Sequence, residues 1–195
     1  DLLDAPHERV TGIVTFGGPV AVNTLLTFGQ PYDVAFHGNG TIDTATGFLN
    51  TGTVGFGDNV GVDTITFTGG LSTAGNATNP ALTRTAGTVV LTTNAPADLG
   101  PLTVAGNTVF NAGTGTTTFH NDIGNSALGT FAVLGTGPIE FMSNVNVSGN
   151  VRLGGDLGGP PTVAWIYKRN SDPSDYNLVI NTNNGDFRMG ANQKL

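Results

Sequence analysis

Apolar and polar residues alternate with a period of two along almost the whole chain. In VDTITFTGG (62–70), Val62, Thr64, Thr66 and Thr68 share one side, and Asp63, Ile65 and Phe67 share the other. GTVVLTTN (87–94), PLTVAGNTVF (101–110), TGTTTFHN (114–121), GTFAVLG (129–135), PIEFMSNVNVSGNVRL (138–153) and YNLVINTN (176–183) behave similarly. Each is a group of β-branched and aromatic residues bounded by Gly, Asn, Asp or Pro, the pattern of half-buried strands between turns. Gly and Asn supply the positive φ that such turns demand. No window of a dozen residues carries an apolar stripe at helical spacing, so the chain is expected to be all-β.

The alternation is weakly repetitive. LGPLTV (99–104) aligns with LGTFAV (128–133), sharing Leu, Gly and Val at matching positions, and a Gly/Asn/Ala-rich turn precedes each. Recurrence of this kind points to a parallel β-solenoid, whose coils bury alternate side chains against the next coil. An antiparallel, jelly-roll-like sandwich would show much the same alternation, with turn signals every 8–12 residues or so. The glycine-rich, charge-poor turns favour the solenoid.

Composition narrows the class. Only 11% of the 195 residues are charged, yet 38% are hydrophobic, so the chain can build a core rather than remain disordered. Cysteine is absent, which leaves no disulfide, thiolate metal site or thiol catalyst. No apolar run approaches the roughly 20 residues of a membrane span. A net charge of −7 argues against nucleic acid, whose phosphates call for a basic footprint. Absence of cysteine, with Asp rather than Met at position 1, fits a processed, secreted protein at an extracellular or cell-surface location. Between residues 10 and 150 the single base is Arg84, whereas 151–195 holds five, an asymmetry suited to head-to-tail contact. This divides the chain into an N-terminal arm (1–10), a Gly/Thr/Asn-rich body (11–159) and a C-terminal cap or assembly segment (160–195).

The stretch NAGTGTTTFHNDIGNSALGTFAVLGTGPIEF (111–141) resembles repeats of the long, secreted β-strand-repeat proteins of bacteria, akin to filamentous haemagglutinins and autotransporter passenger domains. In that style an NAGTG turn leads into a TxTF strand, an acidic or glycine turn and a Leu-rich strand. The resemblance covers about residues 50–155. It implies a parallel β-solenoid and a role in adhesion, matrix or fibre formation, and it carries no catalytic residues.

Candidate chemistry is sparse. His7, His37 and His120 have no zinc-binding spacing, and a turn-bonding role suits His120, which Asn121 and Asp122 follow. SDPSDYN (171–177) offers Asp172, Asp175 and Asn177 as oxygen ligands for calcium, although Asp and Asn also make turns without an ion. No other cofactor is expected. Glu140, Arg152 and Asp156 are the one grouping that a polysaccharide-cleaving site could use, and nothing in their spacing brings them into one cleft. Asn39, Asn76 and Asn146 head glycosylation sequons, which a chain this rich in Asn and Thr yields by chance. Rows of Thr on a flat sheet could meet ice, glycan or a neighbouring sheet, though ordinary β-propensity also explains them.

The expectation is therefore a non-enzymatic structural subunit of an extracellular filament, sheath or surface layer, assembling with itself by terminal strand pairing. Leu2, Leu3 and Val10 in the arm, with Trp165, Ile166, Tyr167, Tyr176 and Phe187 in the tail, are the candidate docking residues. The alternative is an adhesin or phage-fibre-like module that binds cell-surface glycans.

Overall fold

The computed structural model describes residues 11–75, 78, 80–125, 129–147, 149–154, 166–168, 180–181 and 187–189. Three parallel sheets wind into a β-solenoid of about seven turns, with no helix among the described residues. Sheet A comprises β1 (Gly12–Phe16), β3 (Tyr32–Phe36), β6 (Thr53–Phe56), β9 (Leu82–Thr85), β12 (Leu102–Val104), β15 (Ile123–Asn125), β18 (Val145–Asn146) and β21 (Ile180–Asn181). Sheet B stacks β2 (Val20–Val22), β4 (Gly40–Ile42), β7 (Val62–Phe67), β10 (Gly87–Thr92), β13 (Gly106–Asn111), β16 (Gly129–Leu134), β19 (Gly149–Leu153) and β22 (Phe187–Met189). Sheet C holds β5 (Thr46–Gly47), β8 (Leu71–Ser72), β11 (Ala97–Leu99), β14 (Thr117–Phe119), β17 (Ile139–Phe141) and β20 (Ile166–Lys168). From β3 onward each circuit visits A, then B, then C, while β1 and β2 have no described sheet C strand after them, so neighbouring strands in a sheet come from successive circuits. The parallel ladders select the solenoid over the sandwich.

One circuit takes about 20 residues where the corners are tight: Gly12 pairs with Tyr32, Val20 with Gly40, and Gly129 with Gly149. The alignment of Leu99 with Leu128 is therefore not the structural repeat. It matches a sheet A strand, β12, with a sheet B strand, β16, whereas Leu102 pairs with Ile123. Strand limits also differ from the sequence pattern. PLTVAGNTVF holds β12 and β13, on two sheets, and PIEFMSNVNVSGNVRL holds β17, β18 and β19, one from each sheet.

The physical reason is parity. Leu102 and Val104 face inward on β12, and Thr108 and Phe110 face inward on β13, so the even positions stay inside across the corner. Gly106 takes the inward slot at the corner itself, with φ of 107°, where a side chain would collide with the Gly87 carbonyl of the previous circuit. Glycine tolerates both that φ and that approach. Gly87, Gly106, Gly129 and Gly149 thus stack at the A-to-B edge, and alternation runs through it without a break.

The core has two aromatic segments. Phe16, Phe36 and Phe56 form a stacked column with centroids 4.9 and 5.5 Å apart, flanked edge-on by Phe48 and Phe67. Phe119 stacks on Phe141 at 5.2 Å, with Phe110 and Phe131 edge-on to Phe119. Between them, β9 places Thr83 and Thr85 where its neighbours place Val, Phe and Leu. Their buried hydroxyls are satisfied internally: Thr83 donates to Thr73 at 2.7 Å, and Thr85 pairs with Thr108 at 2.6 Å.

Candidate functional site

The first circuit is where the stack stays open. In register, Val14 of β1 continues the inward row of Val34, and Val22 of β2 continues that of Ile42. Val34 and Ile42 are 3% and 0% exposed, whereas Val14 and Val22 are 39% and 37% exposed. The same chemistry is therefore buried one circuit inward and uncovered at the end. Among the described residues each of these two strands has a single partner, β3 and β4 respectively, so each has one backbone edge with no described strand beside it. Phe16, half-buried, heads the aromatic column.

Sheet C is treated differently at this end. Residues 23–31 make no strand, and they cover β5 through Thr27. The Thr27 hydroxyl accepts the Leu49 N–H at 2.7 Å and donates to the Gly47 carbonyl at 3.2 Å, so a side chain serves the groups a missing strand would serve. The same segment presents Leu26 and Phe28 to solvent, and β1 presents Ile13. The result is a half-closed end, with an apolar fringe around two open strand edges.

Carboxylates at the turns tie successive circuits. Asp33 accepts the Thr53 N–H at 2.6 Å, and Asp122 accepts the Asn144 N–H at 2.9 Å together with the Ser143 hydroxyl. His120 pairs through Nε2 with the Asp98 carboxylate one circuit back, consistent with a turn-bonding role. Glu140, largely buried on β17, accepts from the Thr118 hydroxyl at 3.2 Å. Glu140 lies on sheet C and Arg152 on sheet B, while Asp156 falls outside the described residues. No group of three His, Cys, Asp or Glu that could hold a metal occurs among the described residues.

Of the expected docking residues, Ile166 and Tyr167 lie on β20 and Phe187 on β22, each pairing with the preceding circuit. Leu2, Leu3, Val10, Trp165 and Tyr176 lie outside the described residues, as do Asp172, Asp175 and Asn177 of the candidate calcium run. Ile13, Val14, Val22, Leu26 and Phe28 were not anticipated from sequence. Position in the stack exposes them. A partial signal exists in NTLLTF (23–28), where adjacent leucines break the alternation.

The outward face of sheet B carries rows of small polar and β-branched residues. Ala21, Thr41, Thr66, Thr92 and Asn111 form one row in register, and Thr64, Val90 and Val109 form a second. A depression of about 350 Å³ opens among Val20, Asn39, Thr41, Thr64 and Thr66. Asn39 accepts the Thr64 N–H there at 2.7 Å, because β7 runs further toward this corner than β4. No protein-family model, curated protein or solved structure matches this chain.

Proposed function

We propose that the protein is a structural subunit of an extracellular filament, sheath or surface layer, built by head-to-tail continuation of the solenoid. The observation that carries this is the exposed inward row at Val14 and Val22, beside strand edges that no described strand pairs. An unpaired strand with an exposed apolar face is a template for another strand, and β-addition supplies backbone hydrogen bonds for affinity and side-chain pockets for register. A parallel stack suits this mode because each circuit already relates to the next as one subunit would to its neighbour. Extracellular placement rests on the resemblance of about residues 50–155 to secreted β-strand-repeat proteins.

The test is negative-stain electron microscopy across a concentration series, beside the double variant Val14→Lys/Val22→Lys. Both positions are partly solvated in the isolated subunit, so the variant should fold while placing two ammonium groups into any end-to-end joint. Wild type should lengthen into regular polymers as concentration rises, and the variant should stay dispersed. Dispersed wild type at every concentration, or a variant that polymerises equally well, would refute the proposal.

A further inference from the structure

We propose that the outward face of sheet B is a docking track for a neutral polysaccharide chain, which lies across the strands with one segment seated in the depression at Asn39, Thr41, Thr64 and Thr66. This concerns the wall of the solenoid and is independent of what happens at its ends.

Charge comes first. The chain carries −7 overall, yet no outward-facing residue of sheet B from β2 to β13 is charged; beyond it Ala132 and Leu134 of β16 are buried, and Arg152 on β19 is the first charged residue in these rows. A polyanion would find no run of cations along this track, and a polycation no run of anions. What the face offers is hydroxyls and amides, each both donor and acceptor, which match the ring hydroxyls of a sugar. The hydroxyls of Thr41, Thr64, Thr66 and Thr92 make no hydrogen bond to the described residues, so they remain available. Between them, Val62, Val90 and Val109 supply apolar strips on which the carbon faces of sugar rings can rest.

Spacing comes second. Neighbouring strands lie roughly 4.8 Å apart, so Thr41, Thr66, Thr92 and Asn111 repeat at an interval comparable to the advance of one sugar unit along an extended chain. The depression is shallow and open, as a docking surface for an extended chain would be, and its lining is wholly uncharged.

Strand propensity does not account for the pattern, because the other two faces meet the same backbone demand differently. The outward row of sheet A reads Thr15, Ala35, Gly55, Arg84, Thr103, Gly124, Asn146, with Asn181 next in register, and that of sheet C reads Gly47, Ser72, Asp98, Thr118, Glu140, with Tyr167 next in register. Three successive threonines followed by an asparagine, uninterrupted by glycine or charge, occur in register on sheet B and on neither other sheet.

The experiment is retention of the full chain on dextran, laminarin, cellulose and chitin, with polygalacturonate as the charged comparator. Thr64→Val/Thr66→Val/Thr92→Val removes three hydroxyls and keeps the β-branched shape, and Thr15→Val/Thr103→Val is the control on sheet A. At least one neutral polysaccharide should bind, and the affinity of a single, unpolymerised subunit for it should not change with salt. The sheet B variant should bind at least ten-fold more weakly, and the control should match wild type. Should the triple variant fail to fold, Thr41→Lys, at an exposed position beside the depression, should produce the same loss. Retention on no neutral polysaccharide, equal binding by the sheet B variants, or preference for polygalacturonate would each overturn the proposal.

Discussion

Replacing Gly106 by alanine should be among the most damaging single-methyl changes in this molecule, and replacing Gly124 among the least. Gly106 sits at the corner between β12 and β13 with φ of 107°. An alanine Cβ there would overlap the Gly87 carbonyl oxygen and lie 2.9 Å from its carbon, well inside ordinary contact. Three costs follow. The left-handed backbone penalises a side chain by about 1–2 kcal/mol. Forcing the two circuits apart adds about 1–3 kcal/mol of overpacking strain. The Gly87 N–H bond to Ala105 O, 2.9 Å long, would be stretched, losing about 1 kcal/mol. Together these give about 3–6 kcal/mol. Gly124 lies within β15 with ordinary φ and open space where a Cβ would go. Alanine there should stabilise by about 0.5–1 kcal/mol, since glycine in a strand carries that entropic penalty. Urea unfolding followed by far-ultraviolet circular dichroism reads the difference. At an m-value of about 2 kcal/mol per molar, Gly106→Ala should lower the midpoint by about 1.5–3 M and Gly124→Ala should raise it slightly. Equal midpoints would refute the reading of the corner as a sterically closed glycine stack.

Two further changes probe the core. Phe36 touches the rings of Phe16, Phe48, Phe56 and Phe67, so Phe36→Ala should cost about 3–5 kcal/mol in the same assay. Thr85 and Thr108 share a hydroxyl–hydroxyl bond, with the Ala105 N–H also donating to Thr85 at 3.4 Å, and either valine variant alone leaves a buried hydroxyl short of its threonine partner. The double variant Thr85→Val/Thr108→Val should therefore be less destabilised than the two singles added together, with a coupling of about 0.5–1.5 kcal/mol.

How much of this was legible in the chain depends on what alternation can carry. Period two marks which residues face inward, and it did so correctly for Ile65, Phe67, Val89 and Leu91, all buried. It says nothing about where a strand leaves one sheet for another when the corner preserves parity, as Gly106 does, and so three strands of one circuit read as a single run in 138–153. The threonine layer was equally hidden. Thr83 and Thr85 look like surface threonines until the register sets them beside Val54 and Phe56. The open end was invisible for a different reason: Val14 and Val34 occupy equivalent strand positions, and only the number of circuits stacked above each separates them.

The two proposals make opposite demands on salt, which allows them to be separated on one sample. Subunits carrying −7 overall repel one another at long range, whatever the local complementarity of body and tail, and ions screen that repulsion over a Debye length of about 10 Å at 0.1 M. Polymer growth through the apolar fringe at Ile13, Val14 and Val22 should therefore accelerate as sodium chloride rises from 10 to about 300 mM. A neutral chain on sheet B meets no such field, so the affinity of a single subunit should stay constant over that range. Avidity differs again. Continuing the solenoid repeats the Thr41–Thr66–Thr92 row once per subunit along the same wall, and linked sites gain from effective concentration without any new contact. Retention on a neutral glucan should thus climb with salt for wild type, in step with polymer length, and stay flat for Val14→Lys/Val22→Lys. A salt-dependent rise in the variant that cannot stack would show that the wall, not the end, carries the charge effect, and the neutral-track reading would fall.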